Sequence, residues 1–264
     1  MEKPTKKAAA KSSSPTKNAA KKTSPKPAAT KSAAKKSPAS DWTVEKVLAE
    51  MKKMGTAQNV KIYKRHGMPE PVFGVSFANL GQLQKQIKTN HELAKALWAT
   101  KNADARNLAV KIADPAQFTE KELDAMVKDQ NWYGSCDMLS GLIGKTKFAQ
   151  KKAEEWIDSK SEWISRTGWN LIGGLAFDPK SDFSDAYFEK HLKRIEKEIH
   201  SEKNYTRHAM NMTVICIGAR NEKLRKLAEA AAKRIGKVDV DHGETDCKTP
   251  DVIPYIAKIW ARKK

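Results

Sequence analysis

Cysteine is scarce in this 264-residue chain: Cys136, Cys216 and Cys247 are widely separated, with no Cys-x-x-Cys pair. An odd number at that spacing argues against a disulfide framework or a zinc cage and fits a reducing compartment. Long apolar runs are missing too. The best, Leu171–Phe177 and Met212–Gly218, fall far short of the ~20 residues that span a bilayer. No apolar run of signal-peptide length is present, so export is not expected. No phosphate-cradling or dinucleotide-binding glycine motif occurs, which disfavours nucleotide hydrolysis and dinucleotide redox chemistry. Acidic charge is the minority: 31 Asp and Glu against 50 Lys and Arg give a net charge of +19.

Residues 1–40 have no aromatic residue and no Leu, Ile or Val. Such a segment cannot bury enough surface to offset chain ordering. Eleven Lys against one Glu put +10 there, among ten Ala, seven Ser and five Pro. Ser-Pro recurs at Ser14, Ser24 and Ser37. The expectation is a disordered basic tail over 1–40 and one domain over 41–264. The tail's composition resembles that of linker-histone tails, and such an arm condenses on phosphates without reading sequence. The blander reading is a solubilising tail.

The body reads as all-α. Thr43, Ser76, Asn90 and Thr119 each precede an amphipathic run, and Thr119 with Glu122 makes a capping box. Further helices are expected over Trp132–Gly144, Phe148–Asp158, Glu162–Phe177, Ser184–His200, Tyr205–Ala219 and Glu222–Gly236. A last one is expected over Pro250–Arg262 with Thr249 as its cap. About a dozen short helices with short loops, paired at an irregular period, point to a HEAT-like helical-repeat superhelix. A compact orthogonal bundle is the competing fold.

The helix beginning at Trp132 carries the most informative pattern. Trp132, Cys136, Leu139 and Ile143 form one apolar stripe; Tyr133, Asp137, Ser140, Gly141 and Gly144 lie beside it. Tyr133 and Asp137 are one turn apart, so their side chains are neighbours. Glycine costs about 1 kcal/mol per helix position, so glycines beside a carboxylate suggest a surface shaped for a bulky partner. Helix packing over small residues is the alternative. A second helix shows Trp163, Arg166, Asn170 and Gly173 on its polar face, and a third offers Arg207, His208, Asn211 and Met212. Asp137, Arg166 and Asn211 are 29 and 45 residues apart. In a solenoid, equivalent helices line one concave face, where these residues can converge.

Several short motifs recur in order: Arg65-His66-Gly67, Asn90-His91-Glu92-Leu93-Ala94, Ala105-Arg106-Asn107-Leu108-Ala109, Trp132 to Asp137, Ser165-Arg166-Thr167-Gly168, Asn204-Tyr205 and Cys247-Lys248-Thr249-Pro250-Asp251. With these the chain resembles the AlkD-like DNA alkylation repair family over residues 45–262. The resemblance implies a right-handed array of HEAT-like repeats around duplex DNA. It also implies monofunctional glycosylase chemistry on cationic N3- or N7-alkylated purines. The family's catalytic aspartate falls on Asp137 and its pocket arginine on Arg166. Two positions that usually carry Trp fall on Tyr133 and Met212, and a frequent Tyr falls on His66.

An alkylated purine is already a cationic leaving group, and positive charge develops on the sugar as the bond breaks. A carboxylate about 4 Å away contributes roughly 4 kcal/mol at an effective dielectric of 20. Realised in the transition state, that is about 10³-fold in rate. In this reading Arg166 clamps a phosphate. Tyr133, Trp132, Trp163, Asn170, Arg207, His208, Asn211 and Met212 are the candidate DNA or substrate contacts. Trp98, Trp156 and Trp169 read as core. The run His242-Gly243-Glu244-Thr245-Asp246-Cys247 lacks a second His or Cys at ligand spacing, so no metal is expected, and no cofactor is implied. Lys145, Lys147, Lys151 and Lys152 read equally as phosphate contacts or as a solvated face. The expected partner is duplex DNA and not a membrane, the expected state a monomer, and the expected location the cytoplasm with its nucleoid or a nucleus.

Overall fold

Short polar side chains set the helix starts over residues 41–263, the part of the chain that this computed structural model describes. The basic tail expected over 1–40 lies outside the described residues. Thr43, Ser76, Asn90, Asn102, Ser184 and Asn221 each accept a backbone N–H from the first turn that follows. The Thr119–Glu122 capping box forms in full. Each such cap contributes about 1 kcal/mol.

The described residues form thirteen α-helices: α1 (Val44–Met54), α2 (Ala57–Arg65), α3 (Phe77–Ile87), α4 (His91–Ala99), α5 (Ala103–Ile112), α6 (Glu120–Lys128), α7 (Tyr133–Ile143), α8 (Ala149–Trp156), α9 (Glu162–Phe177), α10 (Asp185–Glu198), α11 (Asn204–Arg220), α12 (Glu222–Ile235) and α13 (Val252–Arg262). Short 3-10 turns lie at Pro115–Gln117 and Ile199–Ser201, and the described residues include no strand. From α3 to α13 the odd-numbered helices pack in succession, each on the next. Of the even-numbered helices, α4, α6, α8 and α12 back this row as a second layer, and α10 packs on α12. The fold is a two-layer helical-repeat superhelix with its core between the layers. Leu83, Leu97, Leu108, Leu123, Leu139, Ile143, Trp169 and Phe188 are fully buried there. Close approach of α8 and α9 depends on Gly168, where a Cβ would lie 2.7 Å from the Ile157 nitrogen.

Two elements differ from the sequence pattern. Helix α2, capped by Thr56, is short and only partly buries Val60, Ile62 and Tyr63, so its apolar pattern is too brief to read as a helix. Helix α13 starts two residues later than expected, with Asp251 as its cap. Thr249 and Pro250 are engaged elsewhere, the first with His242 and the second with Asn211. Pro254 sits in the first turn, where its missing N–H has no helical partner to lose.

Two buried charged groups tie neighbouring segments together. The Asp104 carboxylate, fully buried, accepts the backbone N–H groups of Phe73 (2.7 Å), Gly74 (3.0 Å) and Val75 (3.2 Å). Gly74 has φ +78°, and a Cβ there would lie 2.4 Å from the Thr56 carbonyl oxygen. Lys152 is buried among Asp124 (2.8 Å), Glu155 (2.9 Å) and Glu120 (3.5 Å), and Lys151 pairs with Glu120. Those two lysines therefore tie α8 to α6, while Lys145 and Lys147 stay exposed.

His191 is buried between Trp169 and Tyr187. Burial, followed by nearby Lys190, pushes its imidazole from 6.5 down to about 4. The folded state resists the proton that the unfolded chain takes up. Stability is therefore full above pH ~6.5 and falls as pH drops toward about 4, by about 3 kcal/mol at most from this group. Urea melts of His191→Phe should show about half the pH dependence of the parent over that window, because His208 contributes in the same direction. An unchanged slope would exclude His191 as a source.

Candidate nucleic-acid site

Helix α7 presents Tyr133 and Asp137 one turn apart, α9 presents Arg166 and Asn170, and α11 presents Tyr205, His208 and Met212. The Asp137 side chain is 47% exposed, whereas that of Arg166 is 3% exposed. Arg166 Nε donates to Asp137 Oδ1 (3.0 Å), and Nη2 donates to Oδ1 (2.7 Å) and Oδ2 (3.0 Å). Nη1 donates to the Tyr205 carbonyl (2.9 Å) and faces His208 Nδ1 (3.4 Å). Asn170 Nδ2 donates to Asp137 Oδ1 (2.7 Å). Oδ1 thus takes three donors and Oδ2 takes one, which leaves Oδ2 the freer oxygen for an incoming cation or water.

Arg166, expected as a phosphate clamp, is turned toward Asp137 in this geometry. Its Nε, Nη1 and Nη2 atoms each find partners inside the site, an arrangement that holds the Asp137 carboxylate in place. Burial, then the nearby Arg166 and His242, pushes the His208 imidazole down to about 4. A neutral His208 accepts from Arg166 through Nδ1, which places its own proton on Nε2.

Aromatic rings wall the site. The Tyr133 ring stacks on Tyr205 (5.6 Å), whose ring also stacks on Trp163 (5.2 Å). The Arg166 guanidinium lies over Tyr133 at 5.6 Å. The Tyr133 hydroxyl pairs with His66 Nδ1. Burial, chiefly, raises the Tyr133 phenol to about 12, so it keeps its proton.

Residues 237–251 form a roof along one side of these groups. A half-open cleft of about 320 Å³ is lined by Tyr133, Asp137, Arg166, Tyr205, His208 and Met212 on one side and by His242, Thr245, Cys247, Lys248 and Pro250 on the other. Beyond Asp137 the surface is bare: a Cβ on Gly141 or Gly174, one turn past Asp137 and Asn170, would meet nothing within 4 Å.

Not all the candidates meet here. Asn211 is buried and donates to the Pro250 carbonyl (2.9 Å), which anchors the roof. Arg207 donates to the carbonyls of Asp239 (2.7 Å) and Glu202 (3.0 Å), away from the cavity lining. Trp132 is buried against Met68 and Ala103. Trp163 reaches the site only through its stack on Tyr205. Trp156 and Trp169 are core, whereas Trp98 lines an apolar cleft between α4 and α6 with Arg106 over its ring. Among the described residues no cluster of three or more His, Cys, Asp or Glu could hold a metal ion. No described helix is long and apolar enough to cross a membrane.

A two-layer helical-repeat fold carrying a carboxylate under a roofed, aromatic-walled cavity defines a class of helical-repeat proteins with a built acidic site. The chain belongs to the DNA alkylation repair enzyme family, whose model matches residues 45–236. The motif Cys247–Asp251 lies beyond the matched residues. The chain is similar to uncharacterized protein Lin0241 of Listeria innocua, at 28% identity over 226 residues, covering 83% of this chain and 98% of the relative. Uncharacterized protein Lmo0209 of Listeria monocytogenes is 28% identical over 228 residues, covering 84% of this chain and 99% of that protein. A solved structure aligns with TM-score 0.77 and 28% identity, over 84% of this chain and 95% of the other. It comes from a new family of proteins related to the HEAT-like repeat DNA glycosylases with affinity for branched DNA structures.

Proposed function

We propose that this protein is a DNA glycosylase that releases cationic N3- or N7-alkylated purines by hydrolysis of the N-glycosidic bond. The observation that carries the reading is the Asp137 carboxylate, half-exposed at the edge of the cavity and fixed by Arg166 and Asn170. A carboxylate held in place before the reaction stabilises charge developing on deoxyribose without reorganising. Its freer oxygen, Oδ2, can also orient the attacking water. The Tyr133 ring can attract a cationic base or stack on the sugar, contributing about 0.5–2 kcal/mol. Family membership and the glycosylase-related structural neighbour support the same chemistry. The test is release of N7-methylguanine or N3-methyladenine from methylated DNA. The expected result is release well above spontaneous depurination, and release at the spontaneous rate contradicts the reading.

A second reading is a DNA-binding protein without base release. The neighbour's affinity for branched DNA favours it, as do Tyr133 and Met212 where the resemblance implies indoles. It predicts tight, salt-sensitive binding and no released base.

The tail adds its own expectation. Its eleven lysines should raise the local concentration of the protein on DNA. Removing residues 1–40 should flatten the slope of log affinity against log salt, and an unchanged slope would show that the arm does not touch DNA.

A further inference from the structure

The roof is a built element, and it lies outside the residues that the family model matches. One leg is clamped by a reciprocal pair: Asp241 N–H donates to Asn204 Oδ1 (2.7 Å), and Asn204 Nδ2 donates to the Asp241 carbonyl (2.7 Å). The other leg is held by Asn211 on the Pro250 carbonyl (2.9 Å). His242 Nε2 and Thr249 Oγ1 join the two legs (3.0 Å). Inside the loop, Thr245 Oγ1 donates to the His242 carbonyl (2.9 Å). The tip, Thr245 to Cys247, reaches across Tyr133 to Arg65 and His66 at the end of α2, leaving between them a gap of about 270 Å³.

That bridge constrains the substrate. A duplex, whose major groove alone is about 12 Å wide, does not fit within a cleft of this size. The 320 Å³ beneath is at the bottom of the roughly 300–1,000 Å³ range of small-ligand clefts. Its lining is rich in ring edges, those of Tyr133, Tyr205, His208 and His242, a setting that suits one aromatic base. Asp137 stands at the edge, and the bare strip of Gly141 and Gly174 leads away from it, so a sugar–phosphate backbone can approach the helices closely.

Given the DNA-lesion reading above, on which this step rests, we infer that the site takes one unpaired, extrahelical alkylated purine nucleotide. The base enters the cavity under the roof, and the backbone lies on the glycine strip. The sugar joins the two, which sets it beside Asp137. Leaving a stacked pair costs free energy that an already unpaired base does not incur. Lesions in bulges, loops or branch points are therefore the preferred substrates.

The test uses the full chain and matched labelled DNAs, fully paired or with the same purine unpaired, each with and without N7-methylation. Binding and single-turnover base release are measured on both. We expect each to favour the unpaired purine by about tenfold or more. Two roof variants are compared: residues 243–246 replaced by two glycines, and Asn204→Ala, which releases one leg. Both should bring the ratio toward one by improving the paired substrate. Equal binding and release by the parent on paired and unpaired DNA overturns the inference, as does an unchanged ratio in both variants. A binding preference for the unpaired purine with no base released from either DNA supports the pocket assignment and overturns the glycosylase reading instead.

Discussion

Asp137→Asn should lower single-turnover release of N7-methylguanine by about 10³-fold, the size of the Coulomb contribution of a carboxylate about 4 Å from a cationic sugar. DNA affinity should change far less, because the amide keeps the shape and one acceptor oxygen for Arg166. The variant should also be less stable, since its buried guanidinium loses its counter-charge. A thermal melt recorded beside the assay separates a folded, slow enzyme from an unfolded one. Tyr133→Phe provides scale: it removes only the hydroxyl on His66, so a loss of about tenfold or less is expected if ring stacking and not the phenol matters. Equal rates for Asp137→Asn and the parent would remove the carboxylate from the chemistry.

The largest stability effect is expected at Asp104, far from the chemistry. Asp104→Ala leaves three backbone N–H groups, those of Phe73, Gly74 and Val75, without their acceptor. Each orphaned buried donor costs about 1–3 kcal/mol. The variant should therefore lose roughly 3–5 kcal/mol in urea unfolding. Asp104→Asn should recover only part of that loss, since one carboxylate oxygen becomes an NH₂ that faces a donor. A loss below about 1 kcal/mol would show that solvent reaches the 73–75 segment and satisfies it.

Local chemistry explains what could be read from residues alone. Thr43, Ser76, Asn90 and Thr119 announce helix starts because a cap needs only its own first turn. Tyr133 and Asp137 were legible as a pair because helical spacing makes them neighbours, and the family resemblance singled out Asp137 and Arg166. The role of Arg166 was not legible. It depends on how closely α7, α9 and α11 approach, and that approach brings Asp137, the Tyr205 carbonyl and His208 to one guanidinium. Helix α2 is not legible because it is nine residues long and only partly buries its few apolar side chains. The roof was hidden for another reason. Its path is set by Asn204 and Asn211, whose hydrogen bonds reach 37 and 39 residues along the chain. The run from His242 to Cys247 drew attention as a metal-like composition, yet it forms the part of the roof that faces Tyr133 and His66. Tyr205 sat in a recognised motif, but nothing local marks it as the ring between Tyr133 and Trp163.

In the proposed reaction Arg166 works through Asp137, presenting a fixed carboxylate to the sugar. A double-mutant cycle of single-turnover base release with Asp137→Asn, Arg166→Gln and the double variant tests this most directly. If the claim holds, Arg166→Gln slows release strongly in the parent and adds almost nothing once Asp137 is neutral. Additive losses, with Arg166→Gln costing the same factor in both backgrounds, would mean that the arginine acts on DNA by itself and would contradict the account.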